Sequence, residues 1–253
     1  MLRQLRQLTS SRRSQTADRR LGYVLAFVAG AVNAGGFIAV GQYTSHMTGI
    51  ISSMADWLAL GDFAMALAAL AAWVAFITGA ATTAILINLA HRRRLRSRFA
   101  LSLLLEACLL LLFGIAGAHL AQMHDFLAPL TVLLLCFIMG LQNAIITKVS
   151  KARIRTTHVT GMSTDLGIEI GKLFYWNRSR VPLPAVRANR DTLALHGALI
   201  FCFFAGGLSG ALGFKRVGYA TTILLAGVLA LLAAGPILAE ARVRWRLRVR
   251  ANR

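Results

Sequence analysis

His46-Met47-Thr48-Gly49 follows an apolar stretch that carries Asn33-Ala34, and His158-Val159-Thr160-Gly161 follows another that carries Asn143-Ala144. From His46 to His158 is 112 residues and from Asn33 to Asn143 is 110, close to half of the 253-residue chain. Two matched polar motifs in an apolar chain indicate an internal duplication. In membrane transporters, polar breaks at corresponding places in two halves point to the substrate path.

Composition sets the class. The chain is 57% hydrophobic and 15% charged, with a mean hydropathy of +0.63, too apolar for an ordinary soluble domain. Apolar stretches at 21–41, 64–90, 100–121, 126–147, 192–214 and 218–239 each match the roughly 20 residues a spanning helix needs. Segments 45–60 and 157–174 begin at the His motifs and are shorter and more polar. The three cysteines, Cys108, Cys136 and Cys202, sit singly in apolar runs and imply packing. The first 20 residues hold six Arg ahead of an apolar stretch without a small-residue cleavage pattern, so a retained first helix is expected.

Lys and Arg outnumber Asp and Glu by 28 to 9, for a net charge of +19. In a soluble protein this would suggest nucleic acid, but here the basic residues lie in the tails and between apolar segments. They read as topology signals and contacts for anionic lipid headgroups, and no nucleic-acid partner is expected. The same charges decide the topology. If both short segments cross, a cytoplasmic N-terminus leaves 17 basic residues inside and 11 outside; if neither crosses, the split is 26 to 2.

The expected fold is therefore all-α: a polytopic helical membrane protein with six spanning helices plus two short re-entrant or interfacial helices in an inverted 3+3 repeat. Residues 1–20 form a basic cytoplasmic tail, 21–240 one membrane domain (repeats 21–121 and 126–240), and 241–253 a second basic cytoplasmic tail. Inversion follows from an odd number of spans per half, so the two His motifs face each other from opposite sides. Gly22, Ala26, Gly30 and Ala34 recur every fourth residue, and Gly206 and Gly210 share that spacing; small residues so placed let helices approach closely.

Gly140-Leu141-Gln142-Asn143-Ala144, Thr156-Thr157-His158-Val159-Thr160-Gly161 and their first-half counterparts resemble the YoaK-like family of uncharacterised bacterial membrane proteins, over roughly residues 20 to 240. The resemblance implies a multi-pass bacterial inner-membrane protein and no particular ligand. Asn33 stands where that family often has Asp, which removes a proton carrier at that position, and Ile50 stands where Asn often follows Thr-Gly.

The candidate site is built around the repeated motifs. A helix starting inside the protein presents free N–H groups that favour an anion or polar oxygen. Thr48 and Thr160 are expected as N-caps, with Gly49 and Gly161 allowing close approach. His46 and His158 add a hydrogen bond or a titratable group; Asn33, Gln142 and Asn143 add amides that bind solute or join helices. Asp56, Glu106 and Asp165 are candidate coupling carboxylates, whereas Glu169 is expected to pair with Lys172 or Arg155.

Gly207-Leu208-Ser209-Gly210 matches a nucleophile pattern of intramembrane proteases. His196, however, is thirteen residues earlier on the same helix, about 20 Å away at the α-helical rise, so no catalytic residue is assigned. The scattered His and Cys lack ligand spacing, and neither metal nor cofactor is expected. Sequence leads to a carrier or channel for a small anionic or neutral polar solute, with a membrane scaffold or sensor as the alternative. Association into a homo-oligomer is left open.

Overall fold

The computed structural model describes residues 15–93, 95, 98–119, 124–178 and 184–251. Most of the N-terminal tail, the end of the stretch expected at 100–121 and part of loops 91–98 and 175–191 lie outside these. Eight α-helices account for nearly all the described residues: α1 Gln15–Val40, α2 Met47–Ala59, α3 Phe63–Arg92, α4 Ala100–Ala118, α5 His124–Ser150, α6 Val159–Phe174, α7 Arg190–Val217 and α8 Thr221–Ala251, with a 3-10 turn at Gly218–Ala220. The helices overrun the expected apolar stretches at both ends of the chain: α1 starts at Gln15 within the N-terminal tail, and α8 continues into the basic segment beyond 240. Good helix formers such as Arg and Ala predominate in both extensions and neither holds Gly or Pro, so nothing in the sequence stops the helix.

Local chemistry sets several boundaries. Asp62 caps α3 by accepting from Met65 N at 3.0 Å. Asn189 caps α7 by accepting from Asp191 N and Thr192 N, each orphan donor of a first turn finding an oxygen. Gly61 and Gly218 end α2 and α7 with positive φ, where a side chain would be strained. After α5 the same left-handed turn is made by Lys151 and Ala152, without a glycine to ease it.

Among the described residues, five stretches are long and apolar enough to cross a membrane, the last of which, Arg190–Arg242, contains both α7 and most of α8. The interior is shared by α1, α4, α5 and the inner faces of α7 and α8, with Leu21, Leu25, Leu103, Leu110, Leu135, Ile138 and Leu199 fully enclosed. Around it, Leu67, Ile85, Ile115, Phe201, Phe204, Ile223 and Leu231 stand exposed on the outer faces of the long helices. Apolar exposure on that scale suits lipid contact rather than water.

Two helix crossings, each with a glycine on both helices, share one design. A Cβ on Gly30 (α1) would fall on the Phe203 carbonyl of α7, and one on Gly206 (α7) on the Phe27 carbonyl of α1. A Cβ on Gly79 (α3) would meet the Phe137 carbonyl of α5, and one on Gly140 (α5) the Phe76 carbonyl of α3. Each glycine follows a phenylalanine by three residues and rests on the backbone of the opposite phenylalanine. Gly30 and Gly206 are the pair the small-residue spacing points to; Gly79 and Gly140 went unread, although Ala75 and Ala144 stand four residues from them. Beside the second pair, Thr83 Oγ1 donates to Leu141 O at 3.0 Å, and beside the first, Gly210 lies against Ala31.

Candidate functional site

The two His motifs are built alike. Asn33 Oδ1 accepts from Ser45 Oγ at 3.0 Å and from Ser45 N at 3.3 Å; Asn143 Oδ1 accepts from Thr157 Oγ1 at 2.7 Å. In each case an amide inside a long helix holds the residue just before the histidine. His46 and His158 then occupy the N-cap positions of α2 and α6. Their rings fold over the first turn, so a Cβ on Gly49 would lie 2.7 Å from His46 Nδ1 and one on Gly161 2.9 Å from His158 Nδ1. Glycine at N3 makes room for the ring, and this explains the fixed spacing of the motif. Ser45 and Thr157, both hydroxyl residues directly preceding His, were the legible signal that sequence reading missed.

The capping role expected of Thr48 and Thr160 is corrected. Both helices begin two residues earlier than that reading requires, so the threonines fall inside the first turn and are exposed. Neither His makes a side-chain capping bond; Arg155 Nη1 approaches His158 Nδ1 at 3.3 Å instead. The two short helices have different main partners: α2 packs on α3 and α6 on α7.

Around the first motif there is a cleft of about 670 Å³. Tyr43, His46, Gly49, Ser53 and Trp57 line one side, Ala68, Ala69, Ala71 and Ala72 of α3 form another, and Pro129, Val132 and Leu133 of α5 close it. That volume and its apolar lining with a few polar groups are typical of small-molecule sites. Stepping 127 residues, as from Phe76 to Phe203 and from Asp62 to Asn189, replaces Ala68, Ala69 and Ala72 by Leu195, His196 and Leu199. These larger side chains occupy the corresponding place beside α6, where His196 Nδ1 lies 3.8 Å from Asp165 Oδ2. The cleft is thus open where α3 carries alanine.

The candidate polar residues divide into three groups. His46 and Gly49 line the cleft. Asn33 and Asn143 are committed to the loops, Asn143 also donating to Met139 O. Gln142 and Glu106 are fully buried between α4 and α5, away from the cleft. Asp56 is exposed on α2 and lacks the apolar burial expected of it. Glu169 pairs with Lys172 at 2.7 Å, as expected, and also accepts from Asn189 N at 2.6 Å. The Lys172 ammonium first, and then that N–H, hold its carboxyl below the ordinary carboxylate range. Ser209 is exposed on α7 while Gly210 packs on α1, so the Gly-x-Ser-Gly sequence serves a helix contact. No cluster of three metal-ligating side chains occurs among the described residues.

Long apolar helices crossing on glycine, with lipid-facing aliphatic side chains, define the class as a helical membrane protein. A family model described as protein of unknown function (DUF1275) matches residues 21–235, and the chain belongs to that family. The resemblance to YoaK-like proteins is consistent with this membership. No curated protein and no solved structure matches the chain.

Proposed function

We propose that the chain is a bacterial inner-membrane carrier or channel for a small polar solute, with six spans, two short non-spanning helices and both termini in the cytoplasm. Residues 21–121 and 126–240 are then inverted repeats. The observation that carries this reading is the matched geometry: Asn33 with Ser45 and Asn143 with Thr157, and a first helix in each half crossing the third helix of the other at Phe-x-x-Gly. Halves interleaved in this way suit alternating access, in which one repeat rocks against the other around a site. The basic-residue split of 26 to 2 favours six spans.

The His46 cleft is the solute's place on the outer side. None of its lining side chains carries a fixed charge, which favours a neutral solute over an anion. The test is a thermal-shift screen of neutral polar solutes on the detergent-solubilised protein, followed by uptake into liposomes. A true ligand stabilises the wild type and is carried, but does neither with Ala69→Leu, which fills the cleft. Unchanged stabilisation in the filled variant removes the cleft; failure of every hit to cross the liposome membrane removes the carrier.

A second reading, a membrane scaffold or sensor, is favoured by one observation. Phe174, Tyr175 and Trp176 are exposed at the end of α6 beside Lys172 and Arg178, a combination that suits the headgroup region of an anionic bilayer. Recruitment of a partner to that basic face without any solute flux would support it.

A further inference from the structure

One buried group lies outside the duplicated geometry. Ser102 and Glu106 share a face of α4, one turn apart, and Gln142 lies beside Glu106 from α5; all three are fully enclosed. Both carboxyl oxygens of Glu106, both amide atoms of Gln142 and the Ser102 hydroxyl are without a hydrogen-bond partner. Orphaned polar atoms at this density are rare in native interiors and call for an explanation.

The helices around Glu106 offer no counter-charge. There is no ionisable side chain on α3 from 63 to 90 or on α8 from 221 to 239; α5 contributes only the thiol of Cys136 between 127 and 147. On α4 itself the neighbour is Cys108, and Tyr219 packs at the far end against Gly117. A bare carboxylate there would be costly. As a neutral acid, Glu106 complements Gln142: its hydroxyl can donate to Oε1 while its carbonyl oxygen accepts from Nε2. The fold does not need this pair twice, because 110 residues earlier buried Val32 stands in the place of Gln142. Gln142 also adjoins Asn143, whose Oδ1 holds Thr157 at the start of α6.

We propose that Glu106 is an exchangeable proton site: it takes up a proton to form an acid–amide pair with Gln142, releases it as the carboxylate, and signals the difference through Asn143 to α6. Uptake forms one O–H bond at a carboxylate oxygen using a proton from water, and no electrons are transferred. The inference rests on the carrier reading, to which it adds the coupling ion.

The experiment uses the full-length protein in liposomes and N,N′-dicyclohexylcarbodiimide, which reacts with the acid form of carboxyls in apolar surroundings, with mass spectrometry to place the adduct. Labelling is expected on Glu106, to fall as pH rises, and to drop to background in Glu106→Gln. In Gln142→Leu it should persist, because the reacting group is the Glu106 carboxyl itself. An unlabelled Glu106 in folded protein at every pH overturns the proposal, as does an adduct that survives in Glu106→Gln. Protection by sodium at fixed pH also overturns it, in favour of a sodium site. Labelling requires no solute, so a labelled protein that carries nothing loses the carrier reading alone, and an unlabelled one with measurable flux loses the proton site alone.

Discussion

Asn33 Oδ1 receives the Ser45 hydroxyl at 3.0 Å, fixing the end of α1 to the residue before the N-cap of α2. Thr157 does the same to Asn143 at 2.7 Å, but there the hydroxyl is the sole donor, whereas Ser45 also contributes its backbone N–H. Thr157→Val is therefore expected to cost more stability than Ser45→Ala, by roughly the 0.6 kcal/mol typical of one such bond in a membrane protein. Thermal unfolding of both variants in the same detergent checks the order; a larger loss in Ser45→Ala would contradict it.

Gly30, Gly79, Gly140 and Gly206 each rest on a carbonyl of the facing helix, and backbone cannot move aside as a side chain can. Alanine at any of the four should lower the yield of folded protein, with overpacking costs of about 1–3 kcal/mol. Gly197 and Gly227 have open space around them, so Gly197→Ala and Gly227→Ala are the controls and should be neutral or slightly stabilising. Equal behaviour of the two sets by size-exclusion profile would refute the crossings.

At the His motif the obstacle is a ring, which can turn. Gly49→Ala should destabilise the wild type modestly and the His46→Ala background hardly at all, giving a coupling of about 0.5 kcal/mol or more in a double-mutant cycle. The same holds for Gly161→Ala and His158→Ala. Additive effects would mean that the glycine serves something other than the ring.

Glu169 carries a pH signature. Its carboxyl is held below the ordinary range by Lys172 and then Asn189 N–H, so its contribution to stability is complete above the ordinary carboxylate range. That contribution is lost as pH falls through the lowered folded value. Glu169→Gln should flatten this part of the acid limb of melting temperature against pH, and Lys172→Met should move it to higher pH. An acid limb unchanged by either substitution would show that the pair does not act on stability.

With six spans and a cytoplasmic N-terminus, residue 61 is outside and residue 93 inside. After replacement of Cys108, Cys136 and Cys202, a cysteine at Gly61 should react with an impermeant maleimide in intact cells and one at Arg93 only after permeabilisation. Strong labelling at Arg93 in intact cells would overturn the topology.

Much of the helical pattern could be read from sequence because long apolar runs such as 64–90 leave the backbone no option but internal hydrogen bonding. The helix ends could not, since Arg, Ala and Leu continue a helix whether or not it is in lipid; hence the overrun of α8. At the candidate site the motif spacing was visible but its mechanics were not. Whether His or Thr caps a helix depends on where the first turn starts, a difference of a residue or two. The cleft escaped notice because it depends on alanines at 68, 69 and 72 standing beside α2, and an alanine run in an apolar helix looks the same whether it faces a cavity, lipid or another helix. Glu106 was visible as a buried carboxylate, while its partner Gln142 needed the packing of α4 on α5 to be found.

The reciprocal phenylalanine–glycine crossings also constrain how the protein is made. α1 meets its partner α7 only after everything between them has been synthesised, whereas α3 and α5 are separated by little more than α4. A nascent chain therefore enters the bilayer with the bare Gly30 face of α1 turned to lipid, while α3 and α5 can already lock. The late arrival of α7 then closes the molecule, so a chain stopped before Gly206 would leave the Gly30 face of its first helix uncovered and would be a natural target for membrane quality control.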